Sequence, residues 1–260
     1  MAEPLMEARD VRRSYGGVHA VDGASFAVAP ASITGLIGPN GAGKTTLFDV
    51  LSGFRRPHAG SVRYDGAAIT GWSPHRRAQH GLVRTFQLTR ALAGMSVLDN
   101  MLLGAGGHPG ERLPGLLLAP RGWRRRERAE RARAAQLLEV LGLEAKAGDY
   151  AGVLSGGQRK LLELGRVLMG RPRLVLLDEP MAGVNPSLGL RLIDHVHRLR
   201  DEEGIAFLVI EHDLDLIMTR TDRVVVMAQG RVIASGTPGE VAADAAVVDA
   251  YLGRPAGGDA

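Results

Sequence analysis

Between an apolar run, Ile33 to Ile37, and a helix-like run, Leu47 to Ser52, the chain reads Gly38-Pro39-Asn40-Gly41-Ala42-Gly43-Lys44-Thr45-Thr46. Few stretches constrain a fold so tightly. Glycines at this density let the backbone turn sharply and aim successive N–H groups inward, at the N-terminus of a helix whose dipole favours negative charge. Phosphate fits such a cradle. Lys44 is placed to reach β- and γ-phosphates, Thr45 offers a hydroxyl to Mg²⁺, and Gly38, Gly41 and Gly43 keep side chains out of the phosphate's path. The strand before and the helix after separate a phosphate-binding loop from an ordinary glycine-rich turn.

With 260 residues and 45% hydrophobic content, the chain can bury a full core as one large domain or one domain with an insertion. No stretch approaches the roughly 18 uninterrupted apolar residues of a spanning helix. Leu174 to Leu177 meets Asp178, and Leu113 to Ala119 is broken by Pro114 and Gly115. Glu3, Pro4, Glu7 and Asp10 do not form the basic-then-apolar layout of a signal peptide, so a cytoplasmic location is expected. The absence of cysteine excludes disulfides, thiolate metal sites and cysteine nucleophiles. The formal charge of +4 is mild but uneven, because Arg121, Arg124, Arg125, Arg126, Arg128, Arg131 and Arg133 crowd one segment. Glu127, Glu130 and alanines at helical spacing, with no aromatic after Trp123 to stack a base, favour a solvated helix face over a nucleic-acid surface.

Leu5 to Ser14, Val18 to Val21 and Ala24 to Val28, separated by Gly16-Gly17 and Asp22-Gly23, predict an antiparallel sheet. Tyr15, at its first turn, serves either plain sheet packing or the stacking of an adenine ring. Gly60 to Gly66 predicts a strand ending in a turn, and Gly81 to Gln87 a further strand with Gln87 at its end. From Leu88 to Gly165 a mostly helical insertion is expected. Val97 to Gly104 is helix-like, Gly106 to Gly122 is a loop rich in proline and glycine, and Trp123 to Leu141 is amphipathic. Ser155, Gly156, Gly157 and Gln158 then open a helix running through Lys160 to Met169. Leu174 to Leu177 predicts a fully buried parallel strand entering Asp178-Glu179, Leu188 to Glu203 a helix, and Ile205 to Ile210 a second buried strand entering Glu211-His212-Asp213. Arg223 to Ala228 and Arg231 to Ser235 predict a hairpin. The remainder, through Tyr251 to Ala260, becomes small and polar and is expected to fray.

Nucleoside triphosphate hydrolysis needs a phosphate cradle, a metal held by a second carboxylate, a group that orients or deprotonates water, and a sensor of the γ-phosphate. Asp178, ending a buried strand, is the metal-holding acid, and Glu179 beside it is the general base. Gln87 and His212 each end strands that a parallel sheet brings to the edge holding Lys44 and Asp178. There Gln87 is expected to touch Mg²⁺ or water, and His212 to hydrogen-bond the γ-phosphate. Ser155 to Gln158 is a second anion-binding turn for which a monomer has no evident use. Two copies packed head to tail would let it complete the partner's site, through the Ser155 hydroxyl and the Gly157 N–H.

In kind and order these residues resemble the ATP-binding subunit of ABC transporters over almost the whole chain. Walker A is Gly38 to Thr45, the Q-loop glutamine is Gln87, the signature is Leu154 to Gln158, Walker B is Leu174 to Asp178 with Glu179 next, and the switch histidine is His212. The resemblance implies an α/β fold of the P-loop NTPase (RecA-like) kind, with an N-terminal antiparallel β-subdomain and a helical insertion. It implies one cassette over residues 1–253, with β-subdomain and core at 1–87 and 166–235, a helical subdomain at 88–165, and a flexible tail at 254–260. ATP and Mg²⁺ are the implied cofactors. Nucleotide contacts fall to Tyr15, Gly38, Pro39, Asn40, Gly41, Ala42, Gly43, Lys44, Thr45, Thr46, Gln87, Ser155, Gly156, Gly157 and Gln158. Metal contacts fall to Thr45, Gln87 and Asp178, and catalysis to Glu179 and His212.

Ala182 to Pro186 would be the D-loop facing the opposite protomer, with Asn185 where most relatives have aspartate. Arg84 to Gln87, Ala182 to Pro186, Glu211 to Leu214 and Ala250 to Gly253 look like the branch serving uptake of branched-chain and other hydrophobic amino acids. Relatives handling urea, short amides or lipopolysaccharide share some of these features. The implied partners are a second ATPase subunit, identical or not, transmembrane permease subunits and, indirectly, a solute-binding protein. Nucleic acid is not among them, and the implied location is peripheral, on the cytoplasmic face of the inner membrane. A soluble ABC ATPase acting on nucleic acid is the alternative. Such proteins usually carry two cassettes or a long coiled-coil insertion, and this chain has neither.

Overall fold

The computed structural model describes residues 3–85, 91–105, 120–183 and 185–252. In chain order the elements are β1 (Met6–Tyr15), β2 (Val18–Val28), β3 (Ile33–Ile37), α1 (Lys44–Ser52), β4 (Ala59–Tyr64), β5 (Ala67–Ala68), α2 (Pro74–Gln79), β6 (Leu82–Arg84) and α3 (Val97–Leu102). They continue as α4 (Pro120–Val140), α5 (Gly156–Met169), β7 (Leu174–Asp178), α6 (Pro186–Glu203), β8 (Ala206–Ile210), α7 (Leu214–Arg220), β9 (Arg223–Ala228), β10 (Arg231–Gly236), α8 (Pro238–Ala242) and α9 (Ala245–Leu252). Two compact units result. One comprises Met1–Arg84, Arg173–Pro180 and Val196–Ala260, and the other Thr85–Pro172 and Met181–His195. No helix among the described residues is long and apolar enough to cross a membrane.

The first unit holds both sheets. A four-stranded antiparallel sheet has the order β2-β1-β4-β5, and a six-stranded sheet has the order β10-β9-β3-β8-β7-β6. In the larger sheet β9, β3, β8, β7 and β6 run parallel, and β10 pairs antiparallel with β9 at the edge. Strands β3, β7 and β8 are buried at every position, which is why they read as unbroken apolar runs rather than alternating ones. Helix α1 lies at the centre of this core. Its Leu47, Phe48, Val50 and Leu51 are fully buried beside Leu5, Met6 and Val11 of the smaller sheet's side and Leu36, Leu174 and Leu208 of the larger. Each such side chain contributes about 1.5–3 kcal/mol by leaving water.

Two expectations are corrected here. Asp22-Gly23 does not divide two strands, because β2 runs unbroken from Val18 to Val28, and register shifts opposite Ala8 to Arg12 of β1 absorb the irregularity as bulges. The segment after β10 does not fray throughout. Thr237 and Glu240 form a capping box with Pro238 at the first helical position, so α8 starts cleanly, and α9 follows. The box lowers the pKa of Glu240, chiefly through the hydrogen bond from the Thr237 backbone N–H. Part of the expected strand Gly81 to Gln87 is present as β6, which ends at Arg84. Gln87, most of the expected loop from Gly106 to Gly122 and the tail at 254–260 lie outside the described residues.

The second unit packs α3, α4 and α5 against one another through Met101, Leu137, Leu138, Leu141, Leu161, Leu162 and Leu168. On α4 the side chains of Arg124, Arg125, Arg126, Arg128 and Arg131 are exposed, whereas Glu130 and Ala134 are buried. Arg131 pairs with Glu127 one turn away at 3.3 Å.

Arg77 secures the far end of α1. It is 1% exposed, and it donates to the carbonyls of Val50 at 2.9 Å, Leu51, and Ile69 at 2.8 Å. A cation is thus held at the negative end of the helix dipole, on the last carbonyls of the helix, of which Val50 also accepts from Gly53 N–H. Burial pulls its pKa down to about 10, which still leaves it charged at neutral pH. Arg77→Met is expected to lower unfolding free energy by about 3 kcal/mol, because it removes charged donors from the Val50, Leu51 and Ile69 carbonyls, of which Val50 and Ile69 keep one backbone donor each. Arg77→Lys should recover part of that loss, as read by urea denaturation.

Candidate functional site

The phosphate-binding loop joins β3 to α1 at the carboxyl edge of the larger sheet. Gly38 has φ 147°, and a Cβ there would stand 2.0 Å from the Met227 carbonyl oxygen. Gly43, with φ 98°, would bring a Cβ to 2.1 Å from the Ala20 carbonyl oxygen. Glycine is therefore imposed at both positions by backbone packed against the loop as well as by the turn. The loop is tied down from outside, since Gly230 N–H donates to the Ala42 carbonyl at 3.0 Å and Asp22 N–H to the Gly230 carbonyl at 2.8 Å. Arg231 on β10 then holds the Asp22 carboxylate at 2.6 Å.

Helix α1 begins without a side-chain cap and without an acid in its first turn. Its positive end is left open to an anion. Lys44, 6% exposed, donates to the carbonyls of Gly38 at 2.7 Å and Pro39 at 3.0 Å. The ammonium therefore lies folded across the loop that it would share with a phosphate. Burial lowers its pKa, and the carboxylate of Glu179 acts in the opposite direction.

Pairing registers bring the acids to this edge. Leu36 of β3 and Asp178 of β7 both pair with Ile210 of β8, which lies between them, so Asp178 stands level with the residue two before Gly38. Asp178 is 3% exposed. Arg84 Nη2 donates to its Oδ2 at 2.6 Å, and among the described residues Oδ1 has no partner. Glu179 takes a left-handed backbone, φ 47°, and its N–H donates to the Ile210 carbonyl at 3.0 Å. His212 Nε2 lies 2.9 Å from Glu179 Oε1. The structure thus unites Gly38 to Thr46, Asp178, Glu179 and His212 in one unit, and pairs the expected base with the expected phosphate sensor.

Among the described residues, no group of three His, Cys, Asp or Glu side chains could hold a metal. Mg²⁺ takes few protein ligands and completes its shell with phosphate oxygens and water. The Thr45 hydroxyl and the unpartnered Oδ1 of Asp178 are suitable donors.

Tyr15, in the same unit, is 42% exposed, and the Arg13 guanidinium lies 4.9 Å from its ring centroid. Arg13 is itself anchored on the Arg56 carbonyl at 3.1 Å. Ser155 to Gln158 belong to the second unit. Ser155 Oγ accepts from Gln158 N–H at 3.2 Å and Gln158 Oε1 from Ser155 N–H at 3.0 Å, a capping box that opens α5. The box uses those two amides, and helix geometry gives Gly156 and Gly157 no intrahelical acceptor. Also in that unit, Lys160 Nζ donates to the Ala182 carbonyl, and Gly189 N–H donates to the Asn185 carbonyl at 3.0 Å. Sequence reasoning missed Arg84, which it read only as part of a branch-specific string. An arginine ending the strand Leu82–Arg84, directly after apolar residues, was the available signal, since a charge drawn into the interior requires carboxylates around it.

A phosphate cradle on a central parallel strand, served by acids from the carboxyl ends of neighbouring strands, defines the class of P-loop nucleoside triphosphatases. The comparisons narrow it. The ABC transporter family matches over residues 21–182, and the family described as branched-chain amino acid ATP-binding cassette transporter over residues 231–257. The high-affinity branched-chain amino acid transport ATP-binding protein BraF of Pseudomonas aeruginosa is 40% identical over 98% of this chain and 100% of its own length. A probable branched-chain amino acid transport ATP-binding protein, LivG of Methanocaldococcus jannaschii, is 39% identical over 96% of this chain and 98% of its own. The crystal structure of the ADP conformation of an ATP-binding cassette of an ABC transporter superposes with a TM-score of 0.83 at 37% identity, covering 97% of this chain and 100% of that one. The chain belongs to the ABC transporter family and is one of its ATP-binding, ATP-hydrolysing cassettes, with the fold of that family.

The depressed pKa of Lys44 gives a signed pH dependence. Phosphate oxygens favour the ammonium form, so nucleotide affinity should fall as pH rises through the lowered Lys44 pKa, and binding there should take up a proton. Calorimetry in alkaline buffers of differing ionisation enthalpy is expected to show that uptake. Lys44→Ala should abolish both the uptake and most of the affinity.

Proposed function

We propose that this chain hydrolyses ATP as one half of a dimeric clamp and so powers uptake of branched-chain or other hydrophobic amino acids through separate membrane subunits. The substrate class is supported by the match over residues 231–257 and by what the relatives are named for. The observation that carries the catalytic reading is the Glu179–His212 pair, 2.9 Å apart, on the strand edge that also holds the loop and Asp178.

In this reading the triphosphate lies along the amides of Gly38 to Thr46, with its adenine on Tyr15. Lys44 exchanges its two loop carbonyls for β- and γ-phosphate oxygens. Thr45 and Asp178, with Gln87, would hold Mg²⁺, which when bound would supply neutralisation of phosphate charge. Glu179 Oε takes a proton from the attacking water as the new P–O bond forms and the bond to the β-phosphate oxygen breaks, leaving ADP and inorganic phosphate. His212 fixes Glu179 before nucleotide arrives and contacts the γ-phosphate once it is bound. Ser155 and the amides of Gly156 and Gly157, with Gln158, meet the γ-phosphate held by a second subunit, so ATP joins the pair and hydrolysis frees it. Residues 182–186 lie at that junction, with Asn185 in place of an acid. The permease contact is assigned to residues 87–100, the solute-binding protein acts indirectly, and the subunit sits on the cytoplasmic face of the membrane.

Glu179→Gln keeps a hydrogen-bonding group opposite His212 but removes the base. It is expected to bind ATP normally, to accumulate as a dimer in sedimentation, and to lose turnover by about 10²–10⁴. Near-normal hydrolysis would refute the assignment. Recovery with nucleic acid rather than with a hydrophobic membrane partner would refute the transport reading.

A further inference from the structure

One guanidinium serves two acids behind the phosphate loop. Arg84 Nη1 donates to Asp49 Oδ1 of α1 at 2.6 Å, and Nη2 donates to Asp178 Oδ2 of β7 at 2.6 Å. The head group is confined by apolar surface, lying 5.7 Å from the Phe48 ring centroid and 6.0 Å from that of Phe54. Its side chain is largely buried, and that of Asp178 almost completely. All five residues belong to the first unit.

This is more than a packing pair. A planar fork can meet two carboxylates at once from fixed directions, which a point-charge ammonium cannot do. Two acids around one guanidinium leave the cluster net negative, with Asp49 partly exposed and Asp178 buried. Asp178 Oδ2 is satisfied by the guanidinium, while the buried Oδ1 has no partner among the described residues. A buried carboxylate oxygen without a donor is a place for a cation or a water.

We propose that Arg84 is the positioning residue of the metal site. By holding Oδ2 of Asp178 it fixes the carboxylate plane and presents Oδ1, alone, to Mg²⁺. Asp49 supports this indirectly by anchoring the other arm of the fork to α1, the helix that begins with Lys44 and Thr45. The metal donors on β7 and on α1 are thereby held in one frame by a residue that touches neither metal nor nucleotide. This inference rests on the reading of Asp178 as a metal-holding residue.

The test uses the full chain with Mn²⁺ as the spectroscopic probe. Free Mn²⁺ is followed by electron paramagnetic resonance in the presence of ATP, and ATP binding in chelator is measured separately by fluorescence. Arg84→Met is expected to leave metal-free ATP affinity within about twofold and to weaken Mn²⁺ affinity by about 10–100-fold, the scale of lost support behind a metal ligand. Arg84→Lys should restore part of the Mn²⁺ affinity, and Asp49→Asn should weaken it less than Arg84→Met. Where Arg84→Met fails to fold, Arg84→Lys and Asp49→Asn carry the test, and wild-type Mn²⁺ affinity in both would overturn the proposal. Asp178→Asn separates the two readings. If it loses Mn²⁺ binding while folded Arg84→Met keeps it, the Arg84 proposal alone falls. If Asp178→Asn itself binds Mn²⁺ as the wild type does, the metal reading falls and takes the proposal with it.

Discussion

The N-terminus of α1 is a helix end that the protein leaves uncapped on purpose of place. No side chain caps it and no acid occupies its first turn, so its positive dipole end and free amides are unspent. What makes this tolerable is the opposite side of the helix, where Leu47, Phe48, Val50 and Leu51 are buried and Arg77 closes the last turn. Apolar burial and a cation at the far end hold α1 in position, and the near end can remain reactive. The rest of the first unit depends on that asymmetry.

Sheet order then determines which chemistry gathers there. Because β8 lies between β3 and β7 and pairs in parallel with both, the carboxyl ends of all three strands come out together. Each supplies one component: the loop follows β3, Asp178 and Glu179 end β7, and His212 follows β8. The left-handed backbone of Glu179 turns the chain immediately after a fully buried strand. Strain of that kind concentrates where a side chain must be aimed rather than packed.

Much of this was legible in the sequence, and for physical reasons. Buried parallel strands must be apolar throughout, so Leu174 to Leu177 and Ile205 to Ile210 stood out as runs with acids or histidine at their ends. The loop was legible because its glycines answer to backbone clashes that only glycine avoids. What escaped was set by partners distant in sequence. Arg84 finds Asp49 and Asp178, separated from it by 35 and 94 positions, and no local pattern announces such a triangle. The Asp22-Gly23 pair looked like a turn because turn chemistry and bulge chemistry use the same residues, and only the facing strand decides between them. At α8 the signal was present in Thr237, Pro238 and Glu240, but small polar composition masked it.

Lys44 donates to two carbonyls of its own loop, those of Gly38 and Pro39. Nucleotide binding is for this residue a swap and not a gain. The ammonium gives up two internal contacts to make new ones, and the loop carbonyls are released at the same moment. The affinity of the cradle is thus a small difference between two satisfied states. A lysine held in this way meets a phosphate with its side chain already fixed in place, so little rotamer freedom remains for it to lose.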